Sequence, residues 1–234
     1  MNKSTIIFDL DGTLLDTLND LADAVNYALA HYGLPTHSYA DVRMMVGNGV
    51  RNLMLRAVGL YDLSDAERAT ADVSPERFEE IFATFKAYYV GHCQVKTRLY
   101  DGLREVLLEL RRRGCRLAIV SNKLQAGVTE LQRVYFDGLI DVAIGEREGI
   151  SRKPAPDMID LALHELCTDG ESIDDVRAEA VYVGDSDVDI VTARGAGMPC
   201  ISVLWGFRDE AFLRAHGATL MARKPNDLLA LLNC

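Results

Sequence analysis

The sequence lacks several features that define whole classes of protein. No stretch of its 234 residues approaches the roughly 20 consecutive apolar residues that span a bilayer. The first apolar run, residues 6–8, is broken at once by Asp9 and Asp11, so we expect no secretory signal peptide. Both absences favour a cytoplasmic protein without a membrane partner.

Cysteine and positive charge are also scarce. The five cysteines are scattered and never form a CxxC pair, which fits reduced thiols better than a disulfide framework or a zinc site. The formal net charge is −10, and the basic run at residues 111–113 is too short to form a phosphate-binding stripe. We therefore expect no nucleic-acid partner. Small anionic ligands are not excluded, because they respond to the local field of a cleft.

From about residue 100 onward, short β-branched runs alternate with amphipathic segments of helical period. The runs RLAIVS, DVAIG, AVYVG, CISVLW and ATLMA predict strands, and the segments between them predict helices. The opening STIIFDL predicts a further, central strand. This pattern is typical of an α/β fold, a doubly wound parallel sheet with helices on both faces.

Residues 17–96 break this alternation. Several segments there have helical periodicity and none is a convincing strand, which predicts an inserted all-helical domain. We therefore divide the chain into an α/β core, residues 1–16 and 97–234, and a helical cap domain, residues 17–96. Two short hinges would join them.

Polar residues follow four of the predicted strands at their carboxyl ends, where open α/β sheets bind ligands. In chain order they are Asp9, Asp11 and Thr13, then Ser121 and Asn122, then Lys153, and then Asp185 with Asp189. Each group alone could be a turn, a helix cap or a solvated lysine. Their joint placement at four strand ends instead indicates a ligand site.

The residue types in this set point to phosphoryl chemistry. Carboxylates brought together repel one another unless a cation lies between them, and oxygen ligands without His or Cys favour Mg²⁺. Mg²⁺, lysine, serine and backbone N–H groups together suit a phosphoryl group. The predicted cofactor is therefore Mg²⁺, and the predicted partner is a small anionic phosphorylated metabolite.

Four short segments resemble, in the right order, the four motifs of the haloacid dehalogenase superfamily of phosphohydrolases. They are DLDGTLLDT, VSN, KPAPD and GDSDVD. The resemblance covers essentially the whole chain, and the helical insert falls where that superfamily carries its smaller cap. It implies a Rossmann-like core and a phosphatase activity.

The resemblance also implies a role for each acidic residue. Asp9 would be the nucleophile that forms an aspartyl-phosphate intermediate, and Asp11 would protonate the leaving oxygen and later deprotonate water. Asp9, Asp185 and the backbone carbonyl of Asp11 would ligate Mg²⁺. Asp189 would lie behind them and orient a metal-bound water.

The phosphate-binding residues follow from the same resemblance. Ser121 and Lys153 would hold the transferring phosphoryl oxygens, and Asn122 would support them. Thr13 would orient the loop of the first motif. No family role is implied for Asp187, whose place near a helix start fits the helix dipole alone.

The segment VGNGVRNLM, together with DLADAVNYAL, resembles the cap of phosphoglycolate phosphatases. Gly49 ends a glycine-containing loop before a predicted helix, where backbone N–H groups favour an anion. Arg51 could add a cation for a substrate carboxylate. The alternative is an ordinary turn between two helices with Arg51 in solvent.

The sequence thus predicts a Mg²⁺-dependent phosphatase for small phosphomonoesters, most similar to phosphoglycolate phosphatases. Pyrophosphatase, nucleotidase and sugar-phosphate phosphatase or mutase activities of the same superfamily are the alternatives. A non-catalytic sensor of phosphorylated ligands is the alternative from another class. Either a monomer or a homodimer is expected.

Overall fold

The structure is a computed structural model that describes residues 3–68 and 71–232. The chain divides into two compact units, residues 1–16 with 99–234 and residues 17–98. The second division falls at 98/99, against 96/97 expected from the sequence. Each unit is described by itself below.

Among the described residues, the first unit contains the main sheet and seven helices. The strands of the chain are β1 (Thr5–Phe8), β2 (Leu15–Asp16), β3 (Arg98–Leu99), β4 (Arg116–Leu124), β5 (Val142–Glu146), β6 (Ala180–Gly184), β7 (Cys200–Val203) and β8 (Leu220–Ala222). The helices of this unit are α6 (Leu103–Arg112), α7 (Gln125–Tyr135), α8 (Asp157–Leu166), α9 (Ile173–Ala178), α10 (Asp187–Gly195), α11 (Glu210–Ala215) and α12 (Asp227–Leu232).

Six of the strands form one parallel sheet in the order β5-β4-β1-β6-β7-β8. The chain builds one half of the sheet outward from β1 and then returns to add β6 on the other side of β1. Strand order therefore reverses beside β1, and the carboxyl ends of β1 and β6 flank the crevice where such sheets bind ligands. The predicted doubly wound α/β fold is confirmed.

Strand β1 is buried on both faces, because helices cover both sides of a parallel sheet. Ile6 and Phe8 belong to the core that the sheet shares with α6, α7 and α12. Ile7 points the other way and packs in the core with α8, α9 and α10. All three side chains are fully buried, and burying each stabilises the fold by about 1.5–3 kcal/mol. This packing fixes the position of the residue that follows the strand.

Among its described residues, the second unit contains helices and loops and no strand residue apart from Arg98 at its end. Its helices are α1 (Leu18–His31), α2 (Tyr39–Met45), α3 (Val50–Ala57), α4 (Asp65–Arg68) and α5 (Pro75–His92). Its core draws on residues 21–89 alone. The buried Asp20 side chain accepts hydrogen bonds from the backbone N–H groups of Lys96 and Thr97, which ties the end of the unit back to α1. Within the described residues, no helix is long and apolar enough to cross a membrane.

Candidate active site

The first site loop begins where β1 reaches the crevice. The backbone N–H of Asp9 donates to the Val183 carbonyl at 2.9 Å, so Asp9 still lies beside β6. Gly12 follows at φ +90°, and a Cβ on it would lie 2.3 Å from Asp185 Oδ2. Only glycine meets both requirements, a positive φ and this close approach. The loop after β1 therefore lies directly against Asp185, the residue that follows β6.

Three buried carboxylates meet at this point. The oxygen atoms of Asp9, Asp185 and Asp189 that could hold a metal all lie within 4.8 Å of one another. The Lys153 ammonium donates to Asp9 Oδ1 at 2.7 Å, to Asp189 Oδ1 at 2.8 Å and to the Tyr182 hydroxyl at 3.0 Å. Three ionised carboxylates and one ammonium would leave two negative charges without compensation. We call Asp9, Asp185, Asp189 and Lys153 the acidic cluster.

The pKa values of the cluster show the same imbalance. Burial raises the pKa of Asp9 to about 7 from an ordinary 3.8, although the Lys153 ammonium lowers it. Burial, and then the charges of Asp189 and Asp9, raise the pKa of Asp185 well above its usual range. Burial lowers the pKa of Lys153, but Asp189 and Asp9 outweigh it and hold that pKa well above its ordinary value. A cation would favour the ionised forms of Asp9 and Asp185.

Donors on the surrounding loops orient the carboxylates. The backbone N–H of Phe207 donates to Asp185 Oδ2 at 2.7 Å. The backbone N–H and hydroxyl of Ser186 donate to Asp189 Oδ2 at 3.1 and 2.6 Å. Oriented oxygen donors with surplus negative charge and no nitrogen or sulfur ligand fit a hard divalent cation such as Mg²⁺.

Asp11 has a different partner from the acidic cluster. The Lys123 ammonium lies 3.1 Å from Asp11 Oδ1 and 3.5 Å from Oδ2. Lys123 also donates its backbone N–H to Ser121 Oγ at 3.1 Å. From the sequence, Lys123 is one of the polar residues that follow the strand RLAIV, but no role is predicted for it. The available signal was its position two residues after Ser121 at the end of a strand, which places both side chains on the same side.

The remaining predicted core residues lie at the same end of the sheet. Asn122 Nδ2 donates to the Lys153 carbonyl at 3.0 Å, so the second and third motifs are joined directly. The Thr13 carbonyl accepts a hydrogen bond from Trp205 Nε1 at 3.0 Å. Thr13 Oγ1 and Asn122 Oδ1 are buried and have no hydrogen-bond partner among the described residues. Buried polar atoms of this kind are expected where a polar ligand completes a site.

Gly49 and Arg51 belong to the helical unit. Gly49 has φ +85° and immediately precedes α3, after Asn48 at φ +60°. The Arg51 guanidinium forms an ion pair with Glu79 on α5, and it lies 5.1 Å from the centre of the Phe78 ring. The part of Gly49 and Arg51 in substrate binding stays a prediction.

Comparison with known proteins identifies the class to which this fold and site belong. The family model for haloacid dehalogenase-like hydrolases matches residues 6–203. That span includes every core residue predicted for the site, from Asp9 to Asp189. The chain therefore belongs to the haloacid dehalogenase-like hydrolase family.

Individual relatives narrow the assignment. The chain is 34% identical over 212 residues to the phosphoglycolate phosphatase of Caulobacter vibrioides, covering 90% of this chain and 83% of that protein. A crystal structure from Lactobacillus delbrueckii subsp. bulgaricus, of a protein proposed to be a phosphoglycolate phosphatase, superposes with a TM-score of 0.88 at 37% identity and covers 99% of both chains. The CbbY protein of Rhodobacter sphaeroides, solved in complex with phosphate, superposes with a TM-score of 0.73 at 25% identity, covering 99% of this chain and 100% of that one. The chain is a phosphoglycolate phosphatase-like hydrolase, as the motifs predicted.

Proposed function

We propose that the protein is a Mg²⁺-dependent phosphatase that hydrolyses a small anionic phosphomonoester through an aspartyl-phosphate on Asp9. The observation that carries this proposal is the acidic cluster at the crevice of the sheet. The Lys153 ammonium compensates only one of the three carboxylate charges there, which leaves a surplus of negative charge. The names of the relatives support 2-phosphoglycolate as the substrate. The same site could serve other phosphomonoesters, so the substrate needs its own test.

The residues that would hold the metal are Asp9, Asp185 and the backbone carbonyl of Asp11, with Asp189 next to them. A bound Mg²⁺ would neutralise the surplus charge and polarise the phosphoryl group. Lys153 bridges Asp9 and Asp189, so it keeps both carboxylates in place when the substrate enters.

In the first step, Asp9 attacks phosphorus. Its Oδ1 accepts the Lys153 hydrogen bond, so we assign the attack to Oδ2. A bond forms between Asp9 and phosphorus, the bond from phosphorus to the leaving oxygen breaks, and Asp11 supplies the proton that this oxygen needs. Ser121 and Lys153 hold the phosphoryl oxygens during the transfer.

In the second step, water cleaves the aspartyl-phosphate. Asp11, now a carboxylate, takes a proton from the water, and the water oxygen bonds to phosphorus. The bond between phosphorus and Asp9 breaks, which releases phosphate and restores the Asp9 carboxylate. Asp11 is protonated again and ready for another cycle.

The test of the mechanism is phosphate release from p-nitrophenyl phosphate, with Mg²⁺ and with EDTA. Wild type should be active only with the metal, and Asp9→Asn should fall to the assay background. The control variant is Asp187→Asn, the same chemical change at the first residue of α10, just after β6, and it should stay active. A folded, undeamidated Asp9→Asn enzyme that turns over would overturn the mechanism. Wild type that binds phosphate and Mg²⁺ without releasing product would instead support the sensor alternative.

The substrate is tested separately with a panel at fixed Mg²⁺. The panel contains 2-phosphoglycolate, pyrophosphate, a nucleoside monophosphate and a sugar phosphate. We expect the highest kcat/KM for 2-phosphoglycolate. If an unrelated compound is hydrolysed equally well, the substrate assignment is wrong while the phosphatase mechanism stands.

A further inference from the structure

Lys123 is a buried cation that the proposed mechanism does not use. We propose that it is a positioning residue of the phosphatase reaction, because its ammonium holds the Asp11 side chain where a proton must be delivered. This inference rests on the proposed function and deepens it. Lys153 binds the nucleophile Asp9 and the neighbouring Asp189, whereas Lys123 binds Asp11, the proposed acid.

The burial of the pair shows that it is a built feature of the site. The Lys123 side chain is only 6% exposed and that of Asp11 is 19% exposed. A buried ammonium costs several kcal/mol unless a counter-charge and hydrogen bonds compensate. A Cβ placed on Gly127 in α7 would lie 3.5 Å from three carbon atoms of the Lys123 stem. The buried stem therefore runs close to the first turn of that helix.

The backbone of Lys123 has a second effect on the same site. The register of β4 against β5 shifts between Val120 and Leu124, so residues 121–123 lie in an irregular part of the strand. There the Lys123 N–H donates to Ser121 Oγ. A serine hydroxyl that accepts this bond still has its own proton to donate, which is what a phosphoryl oxygen requires. One residue thus orients both Ser121 and Asp11.

The role of the side chain can be separated from a general structural role by the choice of leaving group. A p-nitrophenolate ion leaves readily without a proton, whereas an alkoxide needs one from Asp11. The value of kcat/KM reports the steps up to release of the leaving group. Misplacing Asp11 should therefore lower kcat/KM for an alkyl phosphate and spare it for p-nitrophenyl phosphate. A general distortion of the site would lower both.

The experiment compares Lys123→Met with Lys123→Arg and with Lys3→Met at saturating Mg²⁺. Lys3 is a matched control because it precedes β1, at the opposite end of that strand from Asp9. Among the described contacts, its ammonium donates only to the backbone carbonyl of Ala178. For an alkyl phosphate, Lys123→Met should lower kcat/KM roughly 10–100-fold, and for p-nitrophenyl phosphate less than about 3-fold. Lys123→Arg should recover most of the loss, and Lys3→Met should match wild type.

A double-mutant cycle completes the test. If Lys123 acts through Asp11, adding Lys123→Met to Asp11→Asn should cause no further loss with the alkyl phosphate. Equal losses for both substrates, or additive losses in the cycle, would overturn the proposal. If Lys123→Met does not fold, Lys123→Gln is judged by the same outcomes. Failure of the proposed function itself is visible earlier, as an inactive wild type or an active Asp9→Asn enzyme.

Discussion

Replacing Asp185 by asparagine should make the metal-free protein more stable and the Mg²⁺-loaded protein relatively less stable. Asp185 is buried, its pKa is raised by burial and by Asp189 and Asp9, and it receives no hydrogen bond from Lys153 among the described contacts. Asparagine keeps the size of the side chain and can still accept the N–H of Phe207. The substitution therefore removes repulsion and a proposed metal ligand with little change in packing.

The expected magnitude follows from the spacing of the cluster. At a separation of at most 4.8 Å between the candidate ligand oxygens, two unit charges at an effective dielectric constant of about 20 repel by at least about 3.5 kcal/mol. Partial protonation reduces this repulsion, because the pKa values of Asp9 and Asp185 are raised. We expect Asp185→Asn to add about 1–3 kcal/mol to the metal-free free energy of unfolding, or about 2–10 °C in Tm.

The metal should offset or reverse this difference in stability. Mg²⁺ at 100 times its Kd stabilises a protein that binds it only when folded by about 2.7 kcal/mol. Wild type should gain this stabilisation from Mg²⁺, and Asp185→Asn should gain little of it.

The assay is thermal unfolding of both proteins in EDTA and across a Mg²⁺ titration. Asp187→Asn, two residues further along at the start of α10, is the control. Its Tm should change little in EDTA, and it should respond to Mg²⁺ as wild type does. If Asp185→Asn is no more stable than wild type in EDTA, the electrostatic reasoning is wrong. If Mg²⁺ stabilises it as much as wild type, Asp185 is not a metal ligand.

Three further predictions concern pH, packing and substrate binding. Burial raises the pKa of Asp9 to about 7, so its contribution to the metal-free free energy of unfolding should be full below about pH 4 and lost as the pH rises through about 7. In urea unfolding, Asp9→Asn should therefore show a smaller loss of stability over this pH range than wild type. Gly184→Ala should lower the free energy of unfolding, measured by thermal unfolding, by about 1–3 kcal/mol, because its Cβ would lie 2.3 Å from Asp189 Cγ. Gly91→Ala is the control and should not lower it, because there is open space around that glycine. Arg51→Gln should raise KM for 2-phosphoglycolate and leave that for p-nitrophenyl phosphate unchanged; equal shifts would argue against a carboxylate contact.

Much of the fold could be predicted from the sequence because its signals are local. The apolar runs mark the strands of the main sheet, and the helical periods mark the helices between them. The polar residues after the runs identify the crevice. Strand β6 shows this well, since the run AVYVG ends directly before Asp185. Helix α9 was not among the predicted elements, although Ser172 and Asp175 form a capping box at its start. Its six residues are too few for a clear hydrophobic period.

The partners of the site residues could not be predicted, because they depend on contacts between distant segments. Lys123 and Asp11 are 112 positions apart in the chain. The position of Lys123 two residues after Ser121 indicates the side of the strand on which it lies, but no sequence feature identifies Asp11 as its partner. Trp205 likewise donates to Thr13, 192 positions away. Such pairs become visible only once the strand order of the sheet is known.

The central position of β1 has a consequence for synthesis on the ribosome. Its two neighbours in the sheet, β4 and β6, begin at residues 116 and 180, long after β1 itself has been made. The helical unit, whose core uses residues 21–89 alone, can fold in the meantime, because domains generally fold as units during translation. The nascent chain would then carry a folded helical unit next to an unpaired, strongly apolar strand, the segment that a chaperone would be expected to protect until β4 emerges.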